Sequence, residues 1–190
     1  MKKLNFFPPV FLLLFAQGVA AQGFNYQYVE VGYASSSTEV GATDIDGDVI
    51  GFEATYSIDP AVYVGAAFGF ADFDFDIEQD SRSLFLGLHQ SMAPETDAYV
   101  EAGIIQVDVE LPFFGSDDDT GFGLVAGLRH WAAPQFEVGA SASYVDVFDD
   151  SDTSFSVEGQ YYVQDTLSLI VDFTFSSDSD SIGISVRSAY

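Results

Sequence analysis

The chain has 190 residues, with 30 acidic side chains, five basic ones and a formal net charge of −25. No basic patch exists to neutralise nucleic-acid phosphates, which excludes nucleic acid as a partner. Acidity on this scale often marks disorder, but 48% of residues are apolar and 16% aromatic; with no cysteine, hydrogen bonds and packing alone must hold the fold.

The first element is a leader. Lys2 and Lys3 precede an apolar run from Phe6 to Ala16, interrupted by Pro8 and Pro9, and Val19 and Ala21 occupy the small-residue positions of a cleavage site. The pattern predicts a secretory signal peptide over residues 1–21, cut after Ala21. Its apolar run is shorter than the about 20 residues of a spanning helix. Both lysines and none of the acids lie in it, so residues 22–190, read as one domain, set Arg82, Arg129 and Arg187 against all 30 acids.

Beyond the leader, period two dominates. Val62, Val64, Ala66, Phe68 and Phe70 alternate with Tyr63, Gly65, Ala67 and Gly69. Leu167, Leu169, Val171, Phe173 and Phe175 alternate with Ser168, Ile170, Asp172 and Thr174; Ile182, Ile184 and Val186 alternate with Gly183, Ser185 and Arg187. One face is large and apolar, and the other carries Gly, Ser, Thr and isolated charge. A soluble sandwich places lysine, threonine and glutamate on its solvent face, whereas small residues suit the concave interior of a closed barrel whose apolar face meets lipid. Lipid leaves no backbone group unpaired, which forces closure. The predicted fold is therefore all-β: a single antiparallel transmembrane β-barrel of ten strands, near 26–35, 47–58, 61–72, 81–92, 97–111, 120–131, 135–147, 153–163, 166–176 and 180–190. Strands of about 10 residues suit a tilted crossing, and the count is even. An eight-strand alternative requires two of these segments to lie outside the barrel.

The connectors alternate between two kinds. Asp59-Pro60, Ala93–Thr96, Ala133-Pro134 and Gln164-Asp165 read as tight turns. Ser36–Asp46, Phe73–Asp80, Pro112–Asp119 and Asp149–Asp152 read as longer acidic loops, with Ser177–Ser179 a short exception. Short turns belong to the periplasmic side and long loops to the exterior, which places both termini in the periplasm. In the fifth strand Ala98, Val100, Ala102 and Ile104 share one face, but Ile105, Val107, Val109 and Leu111 form the next apolar set. That slip predicts a β-bulge or a strand leaving the membrane there.

Alternation assigns the lumen-facing charges: Glu30, Glu53, Glu101, Glu137, Glu158 and Asp172, with Arg129 and Arg187. Ion pairing is the expected role, since buried charges are normally paired. Six acids against two arginines leave an excess that suits a narrow cation pathway. Arg129 and Glu137 are expected to pair across the Ala133-Pro134 turn, and Arg82 falls on the outer face near the external rim. Asp44, Asp46 and Asp48, with Gly47, resemble an oxygen-ligand calcium loop but lack its later bidentate glutamate; they are the candidate metal ligands, for Ca²⁺ or Mg²⁺. His89 is expected in the lumen and His130 on the lipid side, both near the periplasmic ends. Neither has the base and orienting partner that catalysis needs, so no catalytic residue or organic cofactor is expected.

The final segment, Ser181-Ile-Gly-Ile-Ser-Val-Arg-Ser-Ala-Tyr190, resembles the C-terminal signature by which outer-membrane barrels are recognised for insertion. Tyr26-Gln-Tyr-Val-Glu-Val-Gly-Tyr33 resembles the first strand of small porin-like barrels, and Asp46-Gly-Asp48 followed by Gly51–Tyr56 resembles their second. The resemblance implies the fold, an outer-membrane location, Tyr190 as the insertion signal, and lipid, lipopolysaccharide and the barrel-assembly machinery as partners of a monomer. Two functional expectations follow: a structural or narrow cation-favouring pore, or an adhesion scaffold displaying acidic loops. A membrane-embedded enzyme ranks last.

Overall fold

The computed structural model describes residues 18–20, 23–40, 43–112, 115–148 and 150–190. Most of the expected signal peptide and its cleavage point after Ala21 lie outside the described residues. A short hairpin comes first, β1 (Gly18–Ala20) with β2 (Gly23–Asn25). Ten strands follow: β3 (Tyr28–Val40), β4 (Thr43–Asp59), β5 (Val62–Phe73), β6 (Ile77–Ala93), β7 (Thr96–Leu111), β8 (Gly115–Ala133), β9 (Phe136–Val147), β10 (Asp150–Gln164), β11 (Leu167–Phe175) and β12 (Ser179–Ala189). Each pairs antiparallel with its sequence neighbour, and β12 pairs with β3 to close the barrel. All ten expected strands exist.

Each strand's outward face is apolar over its middle: Val29, Val31 and Tyr33 on β3, Leu84, Leu86 and Leu88 on β6, Leu169, Val171 and Phe173 on β11 are all exposed. Such a belt around a barrel exterior belongs in lipid. Tyr56, Tyr161 and Tyr190 rim one end of it, and Tyr33 and Tyr144 lie toward the other, as the aromatic girdles of membrane barrels do. Four two-residue turns close the first end, at 60–61, 94–95, 134–135 and 165–166. A register shift precedes each of them. The carbonyl of each turn's second residue then accepts from the next strand but one: Ala61 from His89, Glu95 from Trp131, Gln135 from Tyr162 and Thr166 from Ala189.

At the opposite end the strands run further than the periodicity predicts. β4 starts at Thr43, β6 at Ile77 and β8 at Gly115. The expected acidic loops are therefore largely strand: Asp44 and Asp46 lie in β4, Glu78 and Asp80 in β6, Asp117–Asp119 in β8 and Asp150 and Asp152 in β10. Phe75 and Asp76, at φ 68° and 57°, turn the tight 74–76 connection in the left-handed region. The acid-rich stretches form strands because their alternate residues have somewhere to go. Ile45, Phe73, Ile77, Ile105, Val107, Val109, Val145 and Val147 point inward and pack into one buried cluster, while Asp44, Asp46, Asp48, Asp72, Glu78 and Asp80 point out. The slip at Ile104–Ile105 is not a bulge: β7 keeps unbroken register with both neighbours there. The backbone continues, and the side that water touches changes.

Candidate functional site

The interior is the first place to look for function. All eight expected lumen charges point inward, and seven of them are buried, with Glu158 half-buried. Each of the two arginines centres a hydrogen-bonded group. Near the short turns, Arg129 grips Glu137 through Nε to Oε1 at 2.6 Å and Nη2 to Oε2 at 3.1 Å, the two-pronged geometry that strengthens guanidinium–carboxylate pairs. Register sets Glu137 opposite Trp131 rather than Arg129, so the pair is diagonal, within reach of long side chains. Tyr162 donates to the same carboxylate at 3.1 Å. The second group joins Arg187 Nε to Glu30 at 2.5 Å and Arg187 Nη1 to Gln160 at 3.3 Å, and Gln160 donates to Ser168 at 2.7 Å. Tyr28 lies under the Arg187 guanidinium at 4.3 Å and donates to Glu53, and Tyr63 donates to Glu101 at 2.6 Å.

Sequence reasoning missed several members. Asp97 is as buried as Glu137 and Arg187; it accepts from Tyr26 at 2.8 Å and meets His89 Nδ1 at 2.9 Å. The alternation of β7 places it with Tyr99 and Glu101, so the signal was present. Tyr26, expected at the start of the first strand, lies before β3 and turns into the barrel mouth. It stacks on His89 and Tyr63, with centroids 3.9 and 4.6 Å away, and Arg129 lies 4.6 Å from the Phe24 ring centre. Phe24 and Tyr26 thus pack into the end that carries the short turns.

Glycines make room for this packing. A Cβ on Gly87 would lie 2.1 Å from the Tyr63 ring, and one on Gly127 2.4 Å from that of Tyr99; each tyrosine sits directly opposite its glycine.

The outer rim is the second place. Asp44, Asp46 and Asp48 lie in β4, not in a loop, and a strand spaces alternate residues along a line where a calcium loop curls its oxygens around a point. Among the described residues, no three acids or histidines gather closely enough to hold a metal ion. What the rim has instead is rows of acid across strands. Asp48, Asp72, Glu78 and Glu110 are successive cross-strand partners, and so are Asp80, Asp108 and Asp118. Arg82, on the outer face, meets Asp108 at 2.8 Å. Burial raises the Asp152 carboxyl above the usual carboxylate range, the Thr153 backbone opposes the shift, and the Asp178 charge adds to it.

Each histidine keeps its expected side. His130 is exposed, and its Nδ1 meets the Thr96 hydroxyl at 3.0 Å; among the described residues no carboxylate orients it.

A sequence model described as the outer membrane protein beta-barrel domain matches residues 9–157. The chain belongs to that family. Its place is the outer membrane. No curated protein matches the sequence. Solved structures share the architecture. The β-domain of the Bordetella autotransporter BrkA superposes with a TM-score of 0.56 at 10% identity, covering 86% of this chain and 98% of that one. An outer-membrane channel from Pseudomonas putida F1 gives 0.54 at 9% identity, over 92% and 97%. The KdgM porin in complex with disordered oligogalacturonate gives 0.51 at 9% identity, over 85% and 99%. At such identities the likeness is one of fold.

Proposed function

We propose that this protein is a closed outer-membrane barrel whose role is to anchor and display a rigid acidic collar, rather than to conduct. The observation that carries the reading is the occupied interior. Arg129 and Arg187 are buried to within about 1% of complete exclusion from solvent. An apolar cluster fills the collar end of the lumen, and Tyr26 with its ring partners fills the other. Apolar constrictions block ions by excluding water. In this reading the short turns and both termini face the periplasm, and the collar faces outward beside lipopolysaccharide. Tyr190 serves as the insertion signal to the assembly machinery, and the barrel stays monomeric. The acid rows attract Ca²⁺ or Mg²⁺, which prefer carboxylate oxygens and bridge them to lipid phosphates.

A second reading keeps the narrow cation-favouring pore. Among the described residues the arginine ion pairs of the lumen take Glu137 and Glu30, which leaves a surplus of lumen carboxylates that favours cations. It also suits a polyanion poorly, in contrast to the porin bound to oligogalacturonate. Planar-bilayer recording separates the two. A closed barrel gives no unitary steps, and stable, cation-selective steps from pure refolded protein would replace the first reading with the second.

A further inference from the structure

β8 projects beyond its neighbour. It pairs with β7 from Gly115 onward, but with β9 only from Phe122. Trp131 donates its backbone N–H toward the β7 side, to Glu95, and the β7–β8 register is unbroken. In antiparallel strands backbone groups alternate between the two edges. Odd-numbered residues of β8 therefore bond β7, and Ser116, Asp118 and Thr120 turn their N–H and C=O groups the other way. Among the described residues no strand pairs with them there. Two of the donors are instead capped by the preceding aspartate: Asp118 N–H by Asp117 at 3.1 Å, and Thr120 N–H by Asp119 at 2.7 Å, whose other oxygen accepts from the Phe148 N–H just beyond β9. An unpaired strand edge is a template for another chain.

We propose that this free edge of β8 is a strand-addition site for an extended, lysine- or arginine-bearing segment of another protein. The caps select the occupant. An incoming carbonyl must displace the Asp117 or Asp119 carboxylate from an N–H, and a cationic side chain on the same strand gives that carboxylate a new partner. Asp119 keeps the Phe148 N–H when displaced, but Asp117 does not have such a second donor among the described residues, so an uncharged strand returns nothing to it, and a second copy of this chain sets acid against acid. Both sides of the edge are acidic: Asp117 and Asp119 lie in phase with the lumen face, while Asp118 continues the outward row through Asp108 and Asp80. Arg82 shows the pairing in miniature, seated on Asp108 in that row. The site faces the exterior only in the orientation proposed above, yet its chemistry is independent of whether the barrel conducts, so the two can fail separately.

The test uses the refolded full chain in detergent and a labelled eight-residue peptide of alternating lysine and valine, followed by fluorescence anisotropy. The same peptide with every backbone nitrogen methylated keeps its charge and loses its donors. Ser116→Pro with Thr120→Pro removes two edge donors without touching the bonds to β7, and proline is tolerated on edges; unchanged mobility on unheated gels confirms that this variant folds. The lysine peptide should bind, and both the methylated peptide and the proline variant should weaken binding at least about ten-fold, as strand addition requires. A threonine–valine peptide should not bind. Equal binding by the methylated peptide reduces the effect to surface charge and overturns the proposal. So does equal binding by the uncharged peptide, an unaffected proline variant, no binding of the lysine peptide, or a peptide-free dimer through this edge.

Discussion

Arg129→Met is the most informative perturbation of the interior. The side chain is fully buried, its Glu137 partner is 1% exposed, and two charged hydrogen bonds join them. Removing one member of such a pair leaves a charge stranded, at a cost of about 3–5 kcal/mol. Glu137→Gln alone should cost less, because Tyr162 can still donate to the amide oxygen and Arg129 keeps the faces of Phe24 and Tyr26. With both replaced, no stranded charge remains, and the double variant should fall short of the sum by about 2–3 kcal/mol, the upper range for residues of one network. That is a factor of roughly 30–150 in the folding equilibrium. The assay is reversible urea unfolding in lipid vesicles followed by tryptophan emission. Trp131 is the single tryptophan, and its ring packs 5.0 Å from Tyr162 beside the pair. Midpoints should shift at constant slope. Single-variant losses that add to within about 0.5 kcal/mol would refute the coupling of this pair at the end that carries the short turns.

Other expectations follow from particular contacts. Deleting Tyr190, whose hydroxyl donates to the Thr55 carbonyl at 2.9 Å, should reduce the heat-modifiable barrel in outer-membrane fractions without reducing synthesis; unchanged assembly removes its role as a signal. Gly87→Val drives a methyl group into the Tyr63 ring and should cost about 1–3 kcal/mol by overpacking, read by the same urea titration. Millimolar Ca²⁺ should raise the thermal midpoint of the folded barrel more than sodium chloride of matched ionic strength, since binding to the folded state alone stabilises it; equal shifts would reduce the effect to screening. Burial raises the Asp152 carboxyl in the folded chain, so its charge opposes folding above that raised value, and the opposition disappears below the ordinary carboxylate range. Asp152→Asn should therefore raise the midpoint at neutral pH and leave it unchanged near pH 3, and a shift of equal size at both would show that the charge is irrelevant.

The strand count and the inward set were legible because a side chain's face depends only on odd or even position, and the same rule places Asp97 inside. The collar was not, because acidity in stretches such as Asp72–Asp80 outweighed the quieter alternation of Phe73, Ile77 and Gln79 with their acidic neighbours. Composition there resembles a solvated loop, yet burying one apolar residue in two is enough to hold a strand. Tyr26 could not be located by period either. It precedes the sheet, and only the three-dimensional meeting of His89, Tyr63 and Asp97 gives its ring a seat. The calcium-loop reading of Asp44–Asp48 failed for a related reason. Spacing along a chain says nothing of whether its oxygens converge, and β4 keeps them in file.

The exchange of wet and dry faces at Ile104–Ile105 has a mechanical consequence. On β4, β5, β9 and β12 the outward apolar residues give way to a carboxylate, Asp48, Asp72, Asp146 and Asp180, and on β6 to Arg82 and then Asp80. Together they draw a waterline around the cylinder. Sinking the barrel by one pleat would carry several of these ions into hydrocarbon at once, and raising it would bare a ring of phenylalanine and isoleucine to water. Its draught in the bilayer is thus fixed from both directions, as a hull's is by its loading. Whatever the collar meets, it meets at a constant height above the lipid.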